Sequence, residues 1–278
     1  MKFNLHQESR IGGRRENQDR MVSRSTRDAV LLVVADGMGG HAHGEVAAQV
    51  CVNHIAELFD NHARPRLPDP FIFLALALER AHSAIGQTAL AADLEEVPRT
   101  TCVACVIQDG IAHWAHAGDS RLYLLRGDAV FARTLDHSSV RLLVEQGVID
   151  EEAARHHPNR NRVFSCLGGA MPPQVEFSRK TPLLPGDVLA LCSDGAWGPL
   201  DEAAFVHTLV SAAPPLAVPQ LLDAAEAAAG PRGDNLTLIA LRWEEASSPE
   251  TRLLAGESPS DEDIERAVDE IRGMENGK

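Results

Sequence analysis

Short apolar segments bounded by glycine or aspartate recur along the chain and indicate β-strands. Most of their residues are Val, Ile, Leu or Ala, and the turns after them contain Gly, Asp or Ser. Ile111–Ala117 and Arg121–Leu125 are separated only by Gly118-Asp119-Ser120, so we expect these two segments to form one hairpin. The predicted strands are Ala29–Ala35, Thr101–Ile107, Ile111–Ala117, Arg121–Leu125, Asp187–Cys192 and Asn235–Leu241.

Longer segments between these strands carry apolar residues at helical spacing. In Pro70–Ala92, for example, Phe71, Leu74 and Leu78 fall on one face of a helix. Antiparallel strands together with two pairs of long helices favour one sheet packed on another, with helices outside. The predicted helices are Glu45–Phe59, Pro70–Ala92, Ser139–Gln146, Asp201–Ala212 and Ala217–Ala229.

A change in composition marks the end of the predicted core near Glu245. Residues 246–260 are rich in Ser, Pro and Glu, which is typical of a disordered linker. The next segment, Asp261–Met274, begins with acidic residues and carries a narrow apolar stripe, so it is a candidate short helix. We therefore predict a core domain over residues 1–245 and an acidic, flexible tail over residues 246–278. Either the helix docks a partner protein, or the tail only improves solubility.

The charge of the chain excludes one class of partner. The net charge is −14, and binding to a nucleic-acid backbone needs a basic surface that the sequence does not contain. From Glu244 to Lys278 there are 11 acidic and 4 basic residues, so this segment alone carries −7. An acidic protein can still bind a phosphate group where bound cations reverse the local field.

Hydropathy and cysteine usage predict a cytoplasmic protein without a membrane partner. No apolar run approaches the ~20 residues of a membrane-spanning helix, and the N-terminus lacks the apolar core of a signal peptide. The five cysteines are scattered and odd in number, which favours reduced thiols. Cys102 and Cys105 have the spacing of a metal or redox pair, but residues three apart on a strand face opposite sides. We therefore do not expect a functional cysteine pair.

Aspartates at the ends of predicted strands are the candidate chemical groups. Asp36 and Asp194 each follow an apolar strand and precede a glycine, while Asp119 and Asp234 lie in Gly-Asp turns. Asp19 follows a short polar segment near the N-terminus. Each could be an ordinary turn residue. Together, however, buried carboxylates would repel one another unless cations compensated them. Oxygen ligands without Cys or His at zinc spacing point to Mg²⁺ or Mn²⁺.

Six short motifs with these aspartates follow one another along the chain. They are Arg14-x-x-Asn-x-Asp19, Val34-Ala35-Asp36-Gly37-Met38-Gly39-Gly40-His41, Gly118-Asp119-Ser120-Arg121, Asp136-His137-Ser138, Cys192-Ser193-Asp194-Gly195 and Gly233-Asp234-Asn235. In this order they resemble the type 2C metal-dependent serine/threonine protein phosphatases (the PPM family) in their bacterial form. The resemblance covers roughly Ile11 to Arg242. It implies an α+β fold, with a central β-sandwich of two antiparallel sheets flanked by α-helices on both outer faces. Residues 1–245 would then be the catalytic domain.

The resemblance implies a role for each of the aspartates. Asp36 matches the carboxylate that bridges two metal ions, and the Gly37 carbonyl matches a second ligand. Asp194 and Asp234 match the remaining ligands of the first metal. Asp19 matches an aspartate that acts near the second metal through water. Asp119 matches the ligand of a third, weaker metal site, and Asn235 matches a residue that orients the last aspartate loop.

The resemblance also implies the reaction. Two Mn²⁺ or Mg²⁺ ions would activate a water that attacks the phosphorus of phosphoserine or phosphothreonine. Arg14 matches the arginine whose planar fork binds the phosphoryl oxygens. Arg14 and Asp36 are therefore the predicted catalytic residues, and Arg14 also binds substrate. The implied partners are phosphorylated proteins and a cognate Ser/Thr kinase of the Hanks type.

The sequence departs from the family pattern at two places. Met38 stands where many eukaryotic relatives carry a histidine that protonates the leaving group, and methionine cannot donate a proton. His41 is a nearby candidate acid, although a role in holding the loop by a hydrogen bond is the stronger alternative. Relatives usually carry a Thr-Arg pair where this chain has Phe164-Ser165. The predicted flap, Asp136–Pro158, and its basic residues either meet an acidic phosphopeptide or form a solvated charged face.

Two other functions are compatible with the same fold. An inactive phosphoprotein-binding module would keep the fold without catalysis, but Asp36, Asp194 and Asp234 are all present. A phosphatase specific for one signalling regulator would use the same chemistry on a narrower substrate. We favour a general phosphoprotein phosphatase that opposes a kinase.

Overall fold

The computed structural model describes residues 1–38 and 43–245, which contain thirteen β-strands and seven α-helices. The strands are β1 (Phe3–Arg10), β2 (Asp19–Ser25), β3 (Ala29–Asp36), β4 (Arg99–Thr100), β5 (Cys102–Gln108), β6 (Ile111–Ala117), β7 (Arg121–Arg126), β8 (Ala129–Arg133), β9 (Leu167–Gly168), β10 (Glu176–Phe177), β11 (Thr181–Pro182), β12 (Val188–Cys192) and β13 (Leu236–Trp243). The helices are α1 (Gly44–His62), α2 (Pro70–Ala91), α3 (Ser139–Glu145), α4 (Glu151–His156), α5 (Asp194–Trp197), α6 (Glu202–Ser211) and α7 (Pro214–Ala229). The predicted tail and its helix lie outside the described residues.

Two antiparallel sheets form the centre of the structure. One sheet has the strand order β1-β13-β12-β7-β8, and the other has the order β10-β6-β5-β3-β2, with β11 beside β6. A separate pair, β4 and β9, lies outside both sheets. The first and last strands of the domain are neighbours, because β1 pairs with β13 from Phe3↔Trp243 to Arg10↔Leu236.

Three apolar layers hold the sheets and helices together. Leu32, Leu189 and Trp243 belong to the layer between the two sheets. Helices α1 and α2 cover the outer face of the six-stranded sheet. Helices α6 and α7 cover the outer face of the other sheet. The predicted β-sandwich with helices on both outer faces is therefore confirmed.

The alternating faces of β3 explain why its sequence is apolar without interruption. Leu31 and Val33 pack against the helices, whereas Leu32 and Val34 face the other sheet, so every side chain meets an apolar layer. The same alternation on β5 puts Cys102 in the helix layer and Cys105 between the sheets. All five cysteines are free thiols.

The predicted hairpin between Ile111–Ala117 and Arg121–Leu125 is wrong. These segments form β6 and β7, which belong to different sheets, so the connection between them crosses from one sheet to the other. Gly118 makes the crossing with φ of +116°, and a Cβ there would lie 2.6 Å from Thr101 Cβ. Only glycine combines this backbone conformation with so close an approach. The crossing carries Asp119 to the ends of both sheets.

The six apolar strands and five long helices of the sequence prediction are present with small shifts in their ends. The prediction missed β1 and β2, which are mostly half-buried and rich in polar residues. It also missed α4, α5, β8 and the very short strands. No helix in residues 1–38 or 43–245 is long and apolar enough to cross a membrane.

We expect Leu32→Ala to destabilise the domain by about 2–5 kcal/mol, because it leaves a cavity in the fully buried layer between the sheets. Leu90→Ala is the matched control, since Leu90 is 84% exposed and its truncation should change stability by less than about 0.5 kcal/mol. Urea unfolding followed by circular dichroism measures both. Equal losses in the two variants would contradict the assigned layers.

Candidate metal centre

Five aspartates meet at one end of the sandwich, where strands of both sheets begin or end. Asp19 is the first residue of β2 and Asp36 the last residue of β3, and the two residues pair directly across these antiparallel strands. In the other sheet, Asp194 follows β12 and Asp234 precedes β13. These two strands are neighbours in that sheet. Asp119 lies in the connection between the sheets. The structure therefore brings together all five aspartates of the sequence prediction.

These carboxylates are close enough to oppose one another's ionisation. Burial raises the pKa of Asp36 well above its usual range, and the charges of Asp19, Asp194, Asp119 and Asp234 raise it further. The pKa of Asp119 is also raised well above its usual range, first by burial and then by Asp194. Burial, followed by the charges of Asp234 and Asp19, raises the pKa of Asp194 to about 7. Full ionisation of the cluster therefore requires compensating positive charge.

Asp19 has a buried oxygen without a hydrogen-bond partner. The residue is 2% exposed, and its Oδ2 accepts a hydrogen bond of 2.6 Å from the Ser193 hydroxyl. Its Oδ1 is buried and accepts no hydrogen bond from any described residue. Burial raises the pKa of Asp19 to about 6. An unpaired buried acceptor is unfavourable unless a cation or another ligand satisfies it.

The donor set fits Mg²⁺ or Mn²⁺. The five side chains offer only carboxylate oxygens, which hard divalent cations prefer to nitrogen or sulfur. Such cations would relieve both the mutual repulsion of the carboxylates and the unpaired oxygen of Asp19. Gly37, the predicted carbonyl ligand, directly follows Asp36 and forms an isolated bridge with Thr100. The residues present therefore fit the metal ions that the sequence predicts.

Close backbone packing fixes two of the aspartates relative to each other. Gly195, the neighbour of Asp194, lies against the backbone of Asn235, and a Cβ at Gly195 would collide with the Asn235 carbonyl oxygen. The same Cβ would lie 3.2 Å from Asp234 Cβ. The Asp-Gly dipeptide is therefore required here for the approach of α5 to the start of β13, and not only as a turn.

Asn235 ties the start of β13 to the loop between β1 and β2. Its side-chain amide donates hydrogen bonds to the carbonyls of Ile11 (2.8 Å) and Glu16 (2.9 Å). Its Oδ1 accepts a hydrogen bond of 2.8 Å from the Gln18 amide. This loop carries Arg14, so Asn235 links the position of the arginine to that of the neighbouring Asp234.

Arg14 lies at the edge of the aspartate cluster and contacts one of its members. Its Nε and Nη2 donate to the two carboxylate oxygens of Asp234 at 2.9 Å and 2.7 Å. The arginine side chain is 53% exposed. Arg14 lines a cleft of about 730 Å³ together with Asp119, Asp194 and Asp234. A phosphate group that enters the cleft would therefore meet both the guanidinium and the cluster.

A buried network around Arg121 was not assigned any role from the sequence, although Arg121 and Asp136 lie in two of the motifs. The Arg121 guanidinium donates to both carboxylate oxygens of Asp136 at 2.8 Å and 2.7 Å. It lies 3.3 Å from the centroid of the Trp197 ring. The Trp197 Nε1–H donates to the Asp119 carbonyl at 3.2 Å. The network therefore connects the start of the flap to the turn that carries Asp119.

Two stacked histidines form a second polar group that the sequence prediction missed. His116 and His137 stack at 4.6 Å, and Glu176 Oε2 lies 3.8 Å from Nε2 of each ring. His116 Nε2 donates to the Leu135 carbonyl (2.8 Å), and His137 Nδ1 accepts from the Gly118 amide (3.3 Å). Both Nε2 atoms therefore carry the ring proton and cannot act as metal ligands in this arrangement. The group serves to hold the flap against Gly118.

Four other residues were singled out in the sequence, and the structure describes three of them. The Met38 amide donates to the Arg99 carbonyl at 3.1 Å, whereas His41 lies outside the described residues. Phe164 stacks on His137 with ring centroids 5.5 Å apart. The Ser165 hydroxyl donates to the Gln174 carbonyl at 2.8 Å. Phe164 and Ser165 thus have structural contacts of their own in place of the Thr-Arg pair.

Comparison with known proteins agrees with this geometry. The sequence profile described as Protein phosphatase 2C matches residues 7–225. The chain belongs to the protein phosphatase 2C family. A similar curated relative is the serine/threonine protein phosphatase PstP of Mycobacterium tuberculosis, 33% identical over 241 residues. That match covers 84% of this chain but only 45% of PstP, so the chain spans about half the length of this relative.

Another relative and a solved structure of the PstP catalytic domain each match along nearly their whole length. The protein phosphatase PhpP of Streptococcus pneumoniae is 29% identical over 243 residues, which are 85% of this chain and 96% of PhpP. The crystal structure of the PstP catalytic domain in complex with 2 manganese ions has a TM-score of 0.74 and 29% identity. It covers 87% of this chain and 99% of that domain.

In this protein phosphatase 2C domain, we expect Asp194 to make metal-free stability depend on pH. Its pKa is about 7 in the folded chain, whereas an unfolded aspartate titrates near 3.9. Between roughly pH 4 and pH 7 the folded state keeps a proton that the unfolded state has released. The wild type should therefore lose stability relative to Asp194→Asn as the pH rises through this window, by up to about 1.4 kcal/mol per pH unit.

Thermal unfolding in EDTA at several pH values measures this difference. The comparison with Asp194→Asn cancels the titration of other groups that the substitution leaves unchanged. A difference that stays constant from pH 4 to pH 7 would show that Asp194 titrates normally.

Proposed function

We propose that this chain is a metal-dependent phosphatase that hydrolyses phosphoserine and phosphothreonine in proteins. The observation that carries the proposal is a cluster of five aspartates with a half-exposed arginine, all at one end of a β-sandwich. Four of these residues, Arg14, Asp119, Asp194 and Asp234, line a single cleft. The relatives with which the chain shares its family and fold are serine/threonine phosphatases by name, which supports the same reaction.

We infer that the aspartate cluster holds two Mn²⁺ or Mg²⁺ ions. When bound, such ions supply a water of lowered pKa as the nucleophile and stabilise negative charge on the phosphoryl oxygens. Asp36 is the proposed bridging ligand. The other proposed ligands are Gly37 through its carbonyl, Asp194, Asp234, Asp19 through a water, and Asp119 for a third and weaker ion.

Other residues would bind the phosphate group of the substrate or hold the proposed metal ligands in position. Arg14 presents its planar guanidinium at the cleft, where it can bind two phosphoryl oxygens at once. The Ser193 hydroxyl fixes Asp19 by its hydrogen bond of 2.6 Å. Met38 carries no proton that it could give to the leaving group. The reaction that we propose is direct attack of water, without a covalent phosphoenzyme.

We propose that residues 1–245 are the catalytic domain and that residues 246–278 are an appended acidic tail. The substrates are phosphorylated proteins, and the proposed partner in the cell is a Hanks-type Ser/Thr kinase whose products this phosphatase hydrolyses. Dephosphorylation of a single signalling regulator is the second candidate. A cytoplasmic location stays a prediction from the sequence.

We expect phosphate release from a phosphothreonine peptide to require Mn²⁺ and to stop in EDTA. Asp194→Asn should lower the activity in Mn²⁺ by at least about 100-fold, because it removes a charged ligand from the centre. Asp128→Asn, in an exposed turn, is the matched control and should keep wild-type activity. Activity that survives EDTA would contradict the metal-dependent mechanism. A folded, metal-loaded wild type without activity would favour the binding-module alternative.

Arg14→Ala should lower kcat/KM for the same peptide by about 10–100-fold, which corresponds to the loss of charge-assisted hydrogen bonds to phosphate. Arg14→Lys should recover only part of this loss, since an ammonium keeps the charge but not the planar fork. The exposed neighbour Arg15 provides the control substitution Arg15→Ala. Steady-state kinetics in saturating Mn²⁺ measure all three variants, and an equal effect at both arginines would exclude a specific role for Arg14.

A further inference from the structure

The cleft beside the aspartate cluster is larger than a single phosphorylated side chain requires. Its volume of about 730 Å³ falls in the range of pockets that enclose drug-sized ligands. Its lining contains Arg14, Asp194 and Asp234 beside the aspartate cluster, Val140 of the flap, and Arg160, which lies two residues after the flap. A phosphorylated residue at the metal centre therefore leaves space in which neighbouring substrate residues can lie.

Most charged side chains along this cleft are already neutralised by a partner within the chain. Several arginines form ion pairs with carboxylates, so a charged group of the substrate must compete with an existing contact. At Arg14, the phosphate group of the substrate would do so. These pairs are Arg14 with Asp234, Arg121 with Asp136, Arg133 with Glu202 and Arg141 with Glu145.

Two arginines of the cleft differ from the others. Arg160 and Arg232 are exposed and line the same cleft. Neither side chain has an ion pair or a hydrogen bond to any residue in the described part of the chain. Their positive charges are therefore uncompensated by close contacts, in a protein whose net charge is −14.

The two arginines belong to different segments of the chain. Arg232 ends the 3-10 helix Gly230–Arg232, two residues before Asp234. Its backbone packs closely on the Arg14 loop, since a Cβ on Gly13 would lie 3.0 Å from Arg232 Cα. Arg160 lies in the turn that follows α4, where its amide donates to the His157 carbonyl at 3.0 Å. One positive charge thus lies beside the Arg14 loop and the other in the turn just after the flap.

We propose that Arg160 and Arg232 form a subsite for the acidic side chains that flank the phosphorylated residue of a protein substrate. This inference rests on the proposed function, because it deepens the substrate class of the same cleft. Guanidinium groups bind carboxylates well, and they stay charged at every physiological pH. The net negative charge of the protein repels an acidic peptide from most of its surface. Arg160 and Arg232, which lack ion pairs among the described residues, would attract the acidic side chains of the peptide at the cleft.

Phosphothreonine peptides with neutral or with glutamate-rich flanks test the subsite. We expect the wild type to show a higher kcat/KM for the glutamate-rich peptide, by about 2–5-fold for each arginine engaged. Arg160→Glu and Arg232→Glu should each reduce the ratio of the two kcat/KM values, and the preference should weaken at high salt. The ratio within one variant cancels any change in general activity.

Arg27→Glu is the matched control. Arg27 is 90% exposed and lies in the turn between β2 and β3, at the ends of these strands remote from Asp19 and Asp36. The substitution makes the same change in net charge, so its ratio should equal that of the wild type. A reduction of the same size in Arg27→Glu would mean that net charge, and not a subsite, sets the preference.

Binding of the same peptides with a non-hydrolysable phosphonate, followed by fluorescence anisotropy, separates the two proposals. Tighter binding of the glutamate-rich peptide without hydrolysis of either phosphopeptide would support the subsite and contradict the phosphatase function. Hydrolysis of both peptides with equal kcat/KM and equal affinity would overturn the subsite and leave the phosphatase function standing. Failure to bind either phosphonate peptide would also overturn the subsite.

Discussion

Repulsion among five carboxylates is the constraint on which the rest of the structure depends. Bringing Asp19, Asp36, Asp119, Asp194 and Asp234 to one place raises the pKa of several of them and leaves one buried oxygen unpaired. A flexible chain would relieve this repulsion by moving the aspartates apart. The chain cannot do so, because each aspartate is fixed near the end of a strand of the sandwich or in a tight connection between strands. The carboxylates therefore stay close together, and their ionised forms need compensating positive charge.

The sandwich provides the rigidity that such a cluster needs. Strand β3 is buried on both faces, so Asp36 leaves a segment that has no freedom to shift. On the other sheet, Gly195 lets Asp194 approach the backbone of Asn235, and Asn235 ties this region to the Arg14 loop. Arg121 and Trp197 then connect the Asp119 turn to the flap. The aspartate cluster, the Arg14 loop and the start of the flap thus share one rigid framework.

The apolar strands and long helices could be predicted from the sequence because a doubly buried strand has a continuous apolar pattern and a helix has its own period. The polar strands β1 and β2 escaped detection, because their residues are mostly half-buried and show no clear alternation. The hairpin prediction failed at Gly118, since local pattern and loop length do not reveal which sheet each strand joins.

The candidate aspartates were predictable because each carries a local motif, and their order along the chain resembles one family. The contacts of Arg121 with Trp197 and of His116 with His137 could not be predicted from the sequence. They join residues from distant segments, which meet only in the complete fold. Unpaired charges such as Arg160 and Arg232 are likewise visible only when the partners of the other cleft residues are known.

The pairing of β1 with β13 has a consequence for the synthesis of the protein. Phe3 lies opposite Trp243, so the N-terminal strand finds its partner only after almost the whole domain has left the ribosome. The same late step brings Asp234 to Arg14. A nascent or prematurely terminated chain therefore lacks part of the aspartate cluster, and the cluster is complete only when the final strand has joined the sheet.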